Sequence, residues 1–268
     1  MSPQSQQQRL AALRHTIADI ERKPALLEPR QRLERSAASN FPVLPGGLVQ
    51  EVFADAIRDG GASLGFALAQ AKTLMNARRP SIFYVQLAQE GQAFGLPYGP
   101  GLDWFGVDPA RLVIVRTADM TEFLWAAEEM IACRSVAAVV AEVKGEPKML
   151  NFTASRRLSL RASTSKASLF LLRYGQQRES SAGHLRWRLT PHRSGRNAYD
   201  GKGLGASRWQ LRLEKGRIAG NQVDWSLEWT KNGLAVFSSA QNASFRRPAT
   251  PFSRSAPALL GDRLSQAG

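Results

Sequence analysis

The run Val136-Ala-Ala-Val-Val-Ala141 is apolar at every position. Successive residues of a strand point to opposite faces, so this run has no face to offer to water. It must be covered on both sides, which is the situation of a strand in a parallel sheet with helices above and below. Ser81-Ile-Phe-Tyr-Val-Gln-Leu87 is nearly as continuous and implies the same setting.

The remaining segments fit around these two. Leu48-Val-Gln-Glu-Val-Phe53 reads as a strand entered from the turn Pro45-Gly46-Gly47, and Arg111–Val115 and Ser168–Arg173 read as two more. Between them the apolar spacing becomes helical. A helix is expected over 64–78, with Ser63 as its N-cap and Leu64, Phe66, Ala67, Leu68, Ala71, Leu74 and Met75 apolar. A second is expected over 119–133, with Met120, Phe123, Leu124, Ala127, Met130 and Ile131 inward, and a third from Thr153 to Ser163. Residues 88–108 read as a loop rich in glycine and aromatics. Alternating strands and helices predict an α/β domain with a mainly parallel sheet.

After Arg173 the period changes to two. Leu185, Trp187 and Leu189 alternate with Arg186 and Arg188, and Trp209, Leu211, Leu213 and then Trp225, Leu227, Trp229 repeat the pattern. These segments predict antiparallel strands with one wet face, at the C-terminal side of the domain. The division expected is an N-terminal helix and linker (1–40), the α/β domain (41–235) and a disordered basic tail (236–268). Leu10, Leu13, Ile17 and Ile20 form one stripe of the N-terminal helix, which Pro24 ends. That stripe is assigned to a partner or to an edge of the core.

Charge is distributed unevenly. Residues 1–150 carry 16 basic and 16 acidic side chains, so the whole net charge of +14 lies in 151–268. Such one-sidedness makes a polyanion the first expected partner: nucleic acid, then acidic protein. A soluble basic surface without a partner is the alternative. One cysteine, Cys133, excludes an internal disulfide and a Cys-rich zinc site, and it reads as a small buried hydrophobe. His15, His184 and His192 lack metal-ligand spacing. No metal or other cofactor is expected. No apolar run reaches membrane-spanning length and the N-terminus lacks an apolar leader core, so a cytoplasmic protein is expected.

A strand, glycines and then a helix make the context of a phosphate-binding loop. Gly60 and Gly65 fit G-x-x-x-x-G there. The next two positions should be Lys and Ser or Thr, for the phosphates and magnesium, but they are Phe66 and Ala67. Glu142, ending the fourth strand, stands where such enzymes place a magnesium-binding carboxylate; a polar strand end is the alternative. Catalysis is therefore not expected. The tryptophans read mostly as strand core. Trp104 reads as a core plug, with a partner anchor as the alternative. Glu128 and Glu129 read as helix residues of which one or both face water.

The order of these features resembles the ImuA family, RecA-like proteins of bacterial inducible-mutagenesis operons. The resemblance is carried by Leu44–Phe53, Gly65–Ala69, Tyr98–Leu102, Phe105–Arg116, Leu124–Glu129, Val136–Val143, Thr153–Leu158, Arg208–Leu213 and Trp225–Trp229, within about 40–232. It implies a RecA core without its nucleotide-binding residues. It also implies action in SOS-induced translesion synthesis with an ImuB-type Y-family polymerase homologue, an error-prone replicative-type polymerase and RecA. By analogy with RecA-like folds, the loops after the fourth and fifth strands would face single-stranded DNA. Lys144, Lys148 and Arg178 lie in them, Arg156, Arg157 and Arg161 on the helix between, and Tyr174 is the aromatic available for stacking. A SulA-like cell-division inhibitor and an ATP-dependent recombinase are the alternatives.

Overall fold

The computed structural model describes residues 41–237, except 196, 198, 199, 201, 202 and 219–221, and without the side chains of 92 and 93. Leu10, Leu13, Ile17, Ile20 and nearly all of the tail lie outside the described residues. The elements are β1 (Val49–Ala54), α1 (Gly60–Leu74), β2 (Ser81–Leu87), α2 (Gly91–Phe94), α3 (Gly99–Trp104), β3 (Leu112–Thr117) and α4 (Met120–Ala132). There follow β4 (Val136–Val143), α5 (Phe152–Ser165), β5 (Ser168–Tyr174), β6 (Leu185–His192), β7 (Arg208–Lys215), β8 (Asp224–Thr230) and β9 (Gly233–Val236).

One sheet holds all nine strands in the order β3-β2-β4-β5-β1-β6-β7-β8-β9. The strands from β3 to β6 run parallel, and β6 to β9 are antiparallel. The fold is thus a RecA-like α/β core with antiparallel strands at its C-terminal side. β4 and β5 are buried along their whole length, as their apolar runs require, and β1 is buried too, its Gln50 accepting from Trp187 Nε1 at 2.9 Å and its Glu51 from Arg186 Nε at 2.8 Å. β6 differs from its expected pairing on one edge, where it lies parallel to β1. β9 is too short to have shown a period.

Helices cover the sheet unequally. On one face α1 lies over β1, β4, β5 and β6, and an aromatic cluster of Phe41, Phe66, Trp187, Trp209 and Trp225 fills the space beside it. On the other, α4 and α5 cover β2, β4 and β5. Local chemistry sets where α4 and α5 begin. Asp119 accepts from the Thr121 and Glu122 amides at 2.8 and 2.9 Å, while Glu122 accepts in return from the Ala118 amide at 2.9 Å. Asn151 caps α5 through the Ala154 amide at 3.0 Å.

Several expectations are corrected. α1 starts at Gly60, so Ser63 lies buried inside it and donates to the Asp59 carbonyl at 3.4 Å instead of capping. It stops at Leu74, because the Asn76 side chain accepts from the amides of Arg78 and Arg79 at 3.0 Å and closes a turn. The glycine-rich segment contains α2 and α3. Trp104 is half exposed: Leu102 takes the core position, and Trp104 contributes its carbonyl to Trp229 Nε1 at 2.8 Å. Trp125 is exposed too. Cys133 lies at the surface just past the end of α4, beside Ser135.

Candidate functional site

A nucleotide in a parallel α/β sheet sits at the carboxyl ends of the strands. Here β1, β2, β4 and β5 deliver Ala54, Gln86, Glu142 and Tyr174 to that end. Glu142 is 3% exposed, and its two oxygens accept from the hydroxyls of Tyr84 and Tyr174. Burial pushes the Glu142 carboxyl above its usual range, and the two hydroxyl bonds pull against that shift. Burial and the neighbouring carboxylate push both phenols upward. Both tyrosines are thus hydrogen-bond donors at physiological pH.

The start of α1 closes on this group. A methyl on Gly60 would stand 2.9 Å from the Tyr174 hydroxyl and 3.5 Å from Glu142 Oε1. The Phe94 ring lies on the Tyr174 ring, centroids 5.1 Å apart. Tyr174 is therefore 8% exposed and turned inward, not presented for stacking on a base.

The other glycine-loop residues face elsewhere. Gly60 and Gly65 are both helical. Gly65 faces Phe105, whose ring would be 2.8 Å from any added Cβ, so the absent side chain admits an aromatic ring. Phe66 is fully buried, with ring centroids 6.2 to 6.4 Å from Phe41, Trp187 and Trp209. Ala67 is fully buried as well. Of the expected nucleotide residues, the fold joins Gly60 with Glu142 and sends Gly65, Phe66 and Ala67 into the core.

The expected DNA contacts divide into two groups. Lys144 and Lys148 are exposed on the turn between β4 and α5, the Lys144 amide donating to Glu90 at 3.1 Å. Arg156, Arg157 and Arg161 lie on α5. Arg157 Nε donates to Glu128 at 2.6 Å, and Arg161 lies 3.7 and 3.9 Å from Glu128 and Glu129. Glu128 is buried, whereas Glu129 faces water. Arg178 is elsewhere, held by Glu214 at 2.7 Å with its guanidinium 4.1 Å from the Phe53 ring centre.

Around Phe53 the sequence reading missed a network. Arg173 and Arg186 also approach that ring, at 5.5 and 5.4 Å. Arg186 bonds the buried Glu51 and Arg188 bonds Asp55, both at 2.8 Å. The period-two pattern had put Arg186 and Arg188 on the face away from the tryptophans; their carboxylate partners on and just after β1 carry no local signal. His184 Nδ1 similarly accepts from the Val49 amide at 2.9 Å, fastening β1 to the start of β6. Burial lowers the His184 pKa. Among the described residues no cluster of His, Cys, Asp and Glu suits a metal, and no helix is long and apolar enough to cross a membrane.

The sheet order and the strand-end carboxylate define a RecA-like α/β protein. No family model matches the chain. Protein ImuA of Caulobacter vibrioides strain NA1000 / CB15N is 31% identical over 202 residues, 71% of this chain and 78% of that protein. Protein ImuA of strain ATCC 19089 / CIP 103742 / CB 15 matches to the same extent. The chain belongs to the ImuA family, and with the family comes a setting in mutagenesis and the response to DNA damage.

Proposed function

We propose that this chain is a non-catalytic accessory protein of SOS-induced error-prone translesion DNA synthesis. It docks on RecA, on an ImuB-type Y-family polymerase homologue, or on both, alongside an error-prone replicative-type polymerase and near single-stranded DNA. The observation that carries the reading is the state of Glu142. Its oxygens bond two tyrosines, Tyr174 is packed on Gly60, and Phe66 holds together an aromatic core. A γ-phosphate with its metal needs a free carboxylate and a cation at these places. Binding of macromolecules is the remaining use of the scaffold, with Lys144 and Lys148 giving electrostatic attraction to a phosphate backbone.

The test is co-precipitation of the purified full chain with purified RecA and with the polymerase homologue, with and without single-stranded DNA, at low and high salt. Retention of either protein at high salt is expected, and Lys144→Ala with Lys148→Ala should lower the salt slope of DNA binding by about 2. Loss of every contact above modest salt would sink the docking reading. ATP titration should show no binding; binding with turnover would favour the recombinase. Capture of a purified division protein with no DNA affinity would favour the SulA-like inhibitor.

A further inference from the structure

The sheet is open, and β3 and β9 each have one edge with no strand beside it among the described residues. A bare edge is a row of free N–H and carbonyl groups, which sheets commonly blunt with a short strand, a proline, a lysine or a bulge. β9 follows that rule, being 4 residues long. β3 does not. Its 6 residues, Leu112–Thr117, pair with β2 in unbroken register and include neither proline nor lysine. Val113 is 42% exposed and Ile114 39%. Successive strand residues project to opposite faces, so apolar surface flanks the bare edge on both sides. An edge of this kind takes up another strand.

Charge says which strand fits. Arg111, just before β3, is exposed and makes no ion pair among the described residues. β3 leads out to Asp119 and Glu122, both exposed at the start of α4, where they accept from backbone amides and have no cation beside them among the described residues. A parallel neighbour would set Arg111 against Arg111. An antiparallel copy sets the basic end of each β3 against the acidic end of the other, twice over, as an isologous contact requires.

The register follows. A two-fold axis through the sheet keeps every side chain on its own face, so it must pass through a residue and not between two. With the axis on Ile114, Val113 lies opposite Val115 of the copy, Leu112 opposite Arg116 and Arg111 opposite Thr117. Asp119 of the copy is then the diagonal neighbour of Arg111, about 7–8 Å away and within reach of a long side chain. With the axis on Val113 that gap is about 13 Å. With the axis on Val115, Ile114 would face Arg116 and Val113 would face Thr117. The helices leave room. α4 lies over β2 with β3 and β4 on either side. At about 4.8 Å between strands, the two copies of α4 stand about 14 Å apart, wider than the about 8–10 Å of packed helices.

We propose that β3 pairs antiparallel with β3 of a second copy of this chain, about a two-fold axis at Ile114. Two nine-strand sheets become one, and Arg111 of each copy meets Asp119 and Glu122 of the other. The dimer goes beyond the function proposed above and does not depend on it.

Sedimentation equilibrium of the full chain from nanomolar to high micromolar concentration tests it. A monomer–dimer equilibrium is expected, with Ile114→Lys raising the dissociation constant at least about tenfold. Circular dichroism and a thermal melt check that this edge variant is folded. Arg111→Glu and Glu122→Arg should each weaken self-association, and mixing the two proteins should restore a heterodimer. In a Cys133→Ser background, Ile114→Cys should cross-link to its own copy on mild oxidation, whereas Val113→Cys should cross-link only when mixed with Val115→Cys. A monomer throughout the range overturns the proposal, including the case in which a strand of a different protein takes the edge. So does a dimer unchanged by Ile114→Lys, charge variants that fail to complement, or cross-links in another register.

Discussion

At the scale of residues, the group with the largest consequence is Glu142. Removing its carboxylate with Glu142→Ala leaves two buried hydroxyls without an acceptor, at about 1–3 kcal/mol each, so a fall in denaturation midpoint is expected. Glu142→Gln keeps an acceptor and has no charge to desolvate. Its effect depends on pH. The folded carboxyl is protonated at higher pH than in the unfolded chain, where it titrates near about 4.3. Its contribution is therefore fully present below that unfolded value and is lost as pH rises through the folded one. The stability of Glu142→Gln relative to the natural protein should accordingly rise from pH 4 toward neutrality. Urea melts of both proteins across that range check the sign; a flat or falling difference would refute a raised Glu142.

At the scale of elements, α1 shows how one set of letters serves two structures. Gly60, Gly65 and the strand before them were legible as a phosphate loop, since small residues there admit phosphate. In the fold they admit a tyrosine hydroxyl and a phenylalanine ring. The choice is made by Phe105 and Tyr174, which no local pattern connects to α1. By contrast β4 and β5 were readable because a run without a polar face has one kind of place to go. The Glu142 tyrosines, 58 and 32 residues away, were not. The tryptophans split likewise: those in period-two strands were placed by their pattern, and Trp125, on a helix, was not. Restoring the missing loop cation follows from this. Phe66→Lys should put an unpaired ammonium among Phe41, Trp187 and Trp209, destabilising the protein by roughly 3–5 kcal/mol. It should not create an ATP site. A folded Phe66→Lys protein of natural stability, measured by thermal melt, would refute this placement of α1.

At the scale of the whole molecule, β1 is the middle of the sheet in space but its first strand in sequence. Its neighbours are β5 and β6, and bonds such as Gly47 amide to Ser168 and Val49 amide to His184 close separations of 121 and 135 residues. A protein cut after β5 would keep α1 but lose Trp187, Trp209 and Trp225 from its aromatic core, together with the cover on one edge of β1. Such a fragment should collect in the insoluble fraction; a soluble, protease-resistant fragment would show that the parallel half folds alone. The same layout matters on the ribosome. At a synthesis rate of about 5–20 residues per second, β1 waits roughly ten seconds for its first partner to be made. Through that interval a strand destined for the centre of the sheet stands with both edges open, so nascent chains need a holding chaperone most while the middle of the message is being read.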